Sequence, residues 1–305
     1  MDLMNAKRIL AAALAPTLLL AACSTPEQED DTLNVLASFY PLEYLVQEIG
    51  QDRVTVSSLT PQGGEPHDLE LAPAQTKDIS GADLVVYQSG FQSAVDKAVE
   101  ARTPEHVFDA GVYATLALTE DDGHDHSADD GHDHETDPHF WLDPKLYAQA
   151  AQDLAGELSE VDPEGAEQYQ ANAQSIVDKL TVLDQQYSTE LATCQHDTVV
   201  VTHAAFGYLA HEYNFNQLAI SGIDPEAEPS PAQIRNVRSQ VEELGLKTIF
   251  FETLVSPKVA ETLAADLGID TGLLDPIEGL VNTEETYFSI MENNLTQLKT
   301  GLGCA

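Results

Sequence analysis

Apolar positions fall in short runs over the first third of the chain, and at three- and four-residue spacing further on. "TLNVLASF" and "RVTVSSL" read as strands, with "PLEYLVQEIG" between them as a short helix closing at Gly50. "APAQTKDISGA" reads as a helix, "DLVVYQ" as a buried strand and "EHVFDA" as another. From Asp143 the period is helical. "DPKLYAQAAQDLAGELSEV" is followed by a longer stretch, residues 162–193, with no proline after Pro163. A helix of roughly 28 residues there would span about 42 Å, enough to join two lobes. Strand and helix then alternate again through "DTVVVTH", "AAFGYLAHEY", "NQLAIS", "SPAQIRNVRSQVEELG", "KTIFFE", "SPKVAETLAADLG" and "TGLLDP", with a last helix from about Glu284. The pattern predicts an α/β protein. Two α/β lobes with mainly parallel sheets, residues 33–161 and 194–305, are joined by one long rigid helix. A ligand would sit at the carboxyl ends of the strands, in the interlobe cleft.

The first 22 residues do not belong to this fold. Lys7 and Arg8 precede an apolar run that ends in "LAAC" at Cys23. "LAAC" resembles a bacterial lipobox, which implies cleavage before Cys23 and a lipid on its thiol. The alternative is a plain secretory signal with an incidental cysteine. The acidic stretch 23–32 suits a tether. Outside the cytoplasm, Cys194 and Cys304 are free to form a disulfide, the alternative being two buried thiols.

Charge narrows the partners. Thirteen Lys+Arg against 52 Asp+Glu give a net charge of −39, which repels nucleic acid and anionic lipid and attracts cations. Residues 121–143, "DDGHDHSADDGHDHETDPHFWLD", hold five of the ten histidines. The segment 118–136 lacks apolar periodicity and reads as a loop interrupting the first lobe. Within it His124, His126, His132 and His134 have only Gly and Asp around them and suit weak, loose zinc binding.

Other candidates stand where elements meet. His67 lies in the turn "GGEPHDLELAP", His139 precedes a helix in "DPHFWLDP", His203 closes a strand and Asp275 closes another. Three imidazoles and a carboxylate suit tetrahedral zinc. Glu252, at the end of "KTIFFE", is the alternative fourth ligand or a group supporting one; Glu65 is too near His67 in sequence to be preferred.

"GGEPHDLELAPAQTKDISGADLVVYQSG", "DPHFWLDP", "VVTHAAFGYLAHEY" and "LLDPIEGL" resemble, in order, the signatures of ZnuA/TroA-like metal receptors of bacterial ABC importers. The resemblance covers nearly all of the chain beyond the tether. It implies a monomeric, extracytoplasmic receptor that binds Zn2+ through His67, His139, His203 and Asp275 and delivers it to a membrane permease. Manganese relatives tend to carry Glu where His203 stands, and imidazole favours zinc. The His-rich segment also resembles that of zinc-specific members. A manganese receptor of the same family, a secreted zinc-dependent hydrolase and a surface adhesin or zinc chaperone are the rival readings. The hydrolase would need a general base beside a metal-bound water, and none is evident.

Overall fold

The computed structural model describes residues 32–117 and 136–305. Cys23, the leader up to Asp31 and the loop histidines His124, His126, His132 and His134 lie outside the described residues.

The first sheet is built from β1 (Leu33–Ala37), β2 (Val54–Ser58), β3 (Leu84–Tyr87) and β4 (Val107–Asp109), all parallel, in the order β2-β1-β3-β4. The second repeats this topology with β5 (Thr198–Val201), β6 (Asn216–Ala219), β7 (Thr248–Phe251) and β8 (Asp270–Leu273), in the order β6-β5-β7-β8. The central strands are continuous apolar runs, "LVVY" and "TVVV", as sheets covered on both faces require. In each sheet the order reverses beside the first strand, and the crevice this opens is at the carboxyl ends.

The helices are α1 (Tyr40–Gly50), α2 (Pro73–Ile79), α3 (Ser93–Arg102), α4 (Pro144–Val161), α5 (Ala166–Glu190), α6 (Gly207–Tyr213), α7 (Pro231–Leu244), α8 (Lys258–Leu267) and α9 (Tyr287–Leu302). The sequence reading had no element at α3, whose one buried stripe is Val95, Ala98 and Val99. Of the long stretch 162–193, residues Ala166–Glu190 are helical, 25 residues, about 38 Å at 1.5 Å per residue. The chain turns first at Asp162–Gly165. There Asp162 accepts hydrogen bonds from Arg53 Nε (2.7 Å) and Tyr169 Oη (2.8 Å). A Cβ on Gly165 would lie 2.4 Å from Arg53 Nε and 2.5 Å from Asp162 Oδ2, so a larger residue would push this hydrogen-bonded cluster aside.

The largest apolar core runs through both lobes. It joins Leu42, Leu45 and Val86 of the first to Val199, Val201 and Leu298 of the second by way of Trp141, Tyr147, Tyr187 and Tyr287. Residues 32–305 accordingly form a single compact unit. Three buried tyrosines each donate to a backbone carbonyl within it: Tyr147 to Pro41, Tyr187 to Met291 and Tyr287 to Trp141, at 2.6–2.7 Å. A disulfide joins Cys194 to Cys304 at the amino-terminal side of β5, away from the carboxyl ends of the strands. No helix among the described residues is long and apolar enough to cross a membrane.

Candidate metal centre

Four loops leave the carboxyl ends of the strands and converge. His67 follows β2, His139 follows β4, His203 follows β5, and Glu278 follows β8. One donor atom from each lies within 4.8 Å of the other three. Glu278 Oε1 is at the centre, 2.9 Å from His139 Nε2, 3.1 Å from His203 Nε2 and 3.3 Å from His67 Nε2.

Three of the four loops are pinned by buried side chains just before their donors. Gln92 Nε2 donates to Pro66 O (3.2 Å) and Gln88 Nε2 to Pro138 O (2.7 Å), the carbonyls preceding His67 and His139. Trp141 Nε1 donates across the lobes to Pro276 O (2.8 Å), two residues before Glu278. Asn294 Nδ2 donates to Asp275 O (2.7 Å). Ile277 adopts φ 60°, a left-handed conformation that costs a β-branched residue about 1–2 kcal/mol. The Asp275 carboxylate braces that turn by accepting from Ile277 N–H at 2.7 Å.

Two of the rings are fixed in orientation. His139 Nδ1 lies 2.8 Å from Asp137 Oδ1, which also accepts the His139 backbone N–H at 2.9 Å. His203 Nδ1 lies 2.9 Å from Glu252 Oε1, which also accepts from the Thr202 hydroxyl at 2.6 Å. A carboxylate at Nδ1 keeps a proton there and turns the Nε2 lone pair to the centre. Asp137 fits because residue 207 is glycine: a Cβ there would lie 2.2 Å from Asp137 Oδ2.

The electrostatics are those of a site made for a cation. Asp137, Glu252 and Glu278 are at most 3% exposed, and among the described residues no lysine or arginine is buried. Burial by itself would lower the pKa of His203, yet the Glu278 and Glu252 carboxylates outweigh it and hold it at about 10. Burial opposes protonation of His139 too, but the bonds to Asp137 and Glu278 keep its pKa above the ordinary imidazole value. For Glu278 burial works to raise the pKa, and the surrounding imidazoles force it well below the usual carboxylate range. A divalent ion at the centre would therefore take over positive charge that the raised imidazoles otherwise supply.

The donor set fits zinc. Bonds of about 2.0–2.1 Å in a tetrahedron place donors about 3.4 Å apart. The separations from Glu278 are already 2.9–3.3 Å.

The sequence reading puts Asp275 in the fourth position; the carboxylate whose oxygen lies within 4.8 Å of the three imidazole donors is that of Glu278. Both Asp275 oxygens are engaged elsewhere, one by Ile277 N–H and the other by the Thr253 hydroxyl at 2.8 Å. Glu252, the other candidate, grips His203 from behind and does not join the donor group. Glu278 stood three residues on in "LLDPIEGL"; two carboxylates in one loop gave no sequence signal for choosing between them.

The family model for the periplasmic zinc-uptake complex component A, ZnuA, matches residues 35–301. The high-affinity zinc uptake system protein ZnuA of Bacillus subtilis (strain 168) is 35% identical over 300 residues, covering 93% of this chain and 94% of that protein. The zinc-binding lipoprotein AdcA of Streptococcus pneumoniae serotype 4 is 34% identical, with 92% of this chain spanning 58% of AdcA's length. Among solved structures, the laminin-binding protein Lmb of Streptococcus agalactiae, described as a bifunctional adhesin and metal transporter, superposes with a TM-score of 0.78. It is 31% identical and covers 88% of this chain and 99% of its own.

Proposed function

The chain belongs to the ZnuA family of zinc-uptake components, and from that membership we propose how it holds and hands over its cargo. It is an extracytoplasmic zinc-binding receptor that delivers Zn2+ to an ABC permease, and like its family it is a receptor and not a catalyst. His67, His139, His203 and Glu278 are the ligands in this reading. The observation that carries it is four donor atoms, from loops of both lobes, within 4.8 Å of one another.

Binding is an exchange. The ion sheds water, the imidazoles shed protons, and the buried charge stays nearly constant, which avoids the cost of an uncompensated charge in a dry pocket. Asp137 and Glu252 keep their rings aimed throughout. Because the donors come from both lobes, bound zinc stabilises the whole chain by mass action. Three neutral imidazoles against one carboxylate favour zinc over manganese.

Cys23 is the lipid attachment point in this reading, on the strength of "LAAC", and residues 33–161 and 194–305 are the two lobes about the linker 162–193, helical over Ala166–Glu190. The His-rich segment gathers zinc weakly and leaves the tight site to the four ligands.

Metal content of the purified protein and zinc affinity by competition with a chromophoric chelator test the ligand set. His139→Ala and His203→Ala are each expected to weaken zinc binding by orders of magnitude. Unchanged affinity in both would exclude this site. Growth of a deletion strain under zinc starvation separates import from adhesion.

A further inference from the structure

The four ligands are not equally accessible. The side chains of His139, His203 and Glu278 are 0%, 1% and 0% exposed, whereas that of His67 is 9% exposed. His67 also lines a surface groove of about 440 Å3 that runs between α2 and α3, whose other charged groups are Asp68, Glu70 and Lys97. The ion's way to and from the centre therefore passes His67.

Glu65 stands beside His67. Its side chain is 11% exposed and its Oε1 lies 4.0 Å from His67 Nε2. It accepts only N–H groups of its own turn, from His67 (2.9 Å) and Asp68 (3.3 Å), so each oxygen retains a free lone pair. A zinc ion bound by an imidazole nitrogen and a carboxylate oxygen spans up to about 4.2 Å between those atoms. The 4.0 Å gap needs to close by only about 0.6 Å, to the tetrahedral separation of about 3.4 Å, to hold an ion in such a two-point clip with the other positions still hydrated. Among the described residues, the Nδ1 atoms of His139 and His203 are tied to carboxylates while the His67 ring has no such tie, so it is the ring free to move with an ion.

We propose that Glu65 and His67 form a transfer site for Zn2+ at the mouth of the centre: the arriving ion is held first by Glu65 Oε1 and His67 Nε2, then exchanges Glu65 for Glu278, His139 and His203. Departure retraces this path. The proposal rests on the ligand set given above. Glu65 is not a ligand of the final site, and its effect is on rates.

The test is Glu65→Gln, which keeps an oxygen to accept the turn's N–H groups but removes the charge. Zinc association and chelator-induced dissociation are followed by stopped flow using the fluorescence of Trp141, the only tryptophan in the chain, whose ring centroid is 5.2 Å from that of His139. The d–d absorption of Co2+ provides a second signal. Both rates are expected to fall by about tenfold while Kd moves by less than about threefold. Asp68→Asn, which changes the same charge without the 4.0 Å approach, should leave the rates within about twofold. Unchanged rates in Glu65→Gln would overturn the transfer site, as would equal slowing in Asp68→Asn, which would reduce Glu65 to a contributor to the field. Loss of affinity with an unchanged association rate would make Glu65 a permanent ligand and also overturn it. If the wild-type protein held no zinc tightly, the ligand set itself would fail, a result distinct from all of these.

Discussion

Zinc affinity should keep rising well above neutral pH. An ordinary histidine site saturates once pH passes about 6.5, because its imidazoles are then neutral. Here His203 sits between Glu278 and Glu252, and its pKa in the metal-free protein is raised to about 10. Below that value zinc must displace a proton, so each pH unit changes Kd by about tenfold for that proton alone. Between pH 7 and pH 9 affinity should tighten by about two orders of magnitude, and His139, also raised, adds to the slope. The stability of the metal-free protein should move the other way. A histidine whose folded pKa exceeds its unfolded one stabilises fully below about pH 6.5, and that contribution is lost as pH climbs toward 10. The zinc-induced rise in Tm should therefore grow with pH. The assay is Kd by chelator competition at half-unit intervals from pH 6.5 to 9. Calorimetry at pH 7 in buffers of differing ionisation enthalpy counts the protons released. A Kd changing by less than about threefold above pH 7, with no proton released, would refute the reasoning that charged imidazoles neutralise Glu278 in the empty site.

Glu278→Gln should weaken zinc by more than about 100-fold, while Asp275→Asn, which keeps an acceptor for Ile277 N–H, should cost less than about tenfold; chelator competition on both decides the fourth ligand. Glu252→Gln and Asp137→Asn remove the charges that orient His203 and His139, and each should lower affinity by about 10–100-fold with a distorted Co2+ spectrum. The disulfide closes a separation of 110 residues, so Cys194→Ala with Cys304→Ala should lose up to about 4–5 kcal/mol of unfolding free energy in urea. Zinc affinity in that variant should stay within about threefold, because the bridge is at the opposite end of the second sheet from the metal centre.

Both sheets were legible because their strands are buried on both faces and read as unbroken apolar runs such as "TVVV" and "LVVY". Helix α3 was missed because its charged residues, Asp96, Lys97, Glu100 and Arg102, dilute a narrow apolar stripe. His67, His139 and His203 stood out by their place at strand and helix ends, which survives translation into three dimensions. Glu278 did not. Its selection over Asp275 depends on a left-handed residue between them, and an isoleucine gives no sign that it will adopt φ 60°. The sequence offered a supporting role for Glu252 but not the ring it supports: Glu252 and His203 are 49 residues apart, and only the pairing of β5 with β7 brings them together.

The core shared between the lobes has a practical consequence for anyone dissecting this molecule. Each half keeps a smaller apolar cluster of its own, around Ile249 and around Val85, but the main interior is shared, since Trp141 and Tyr287 each need the other half for cover and for a hydrogen-bond partner. Cutting the gene within the long helix should yield two insoluble fragments and not a pair of miniature receptors. A fluorescent sensor built on large swings between the termini would report little. Dyes placed beside the four donor loops would follow the metal far better.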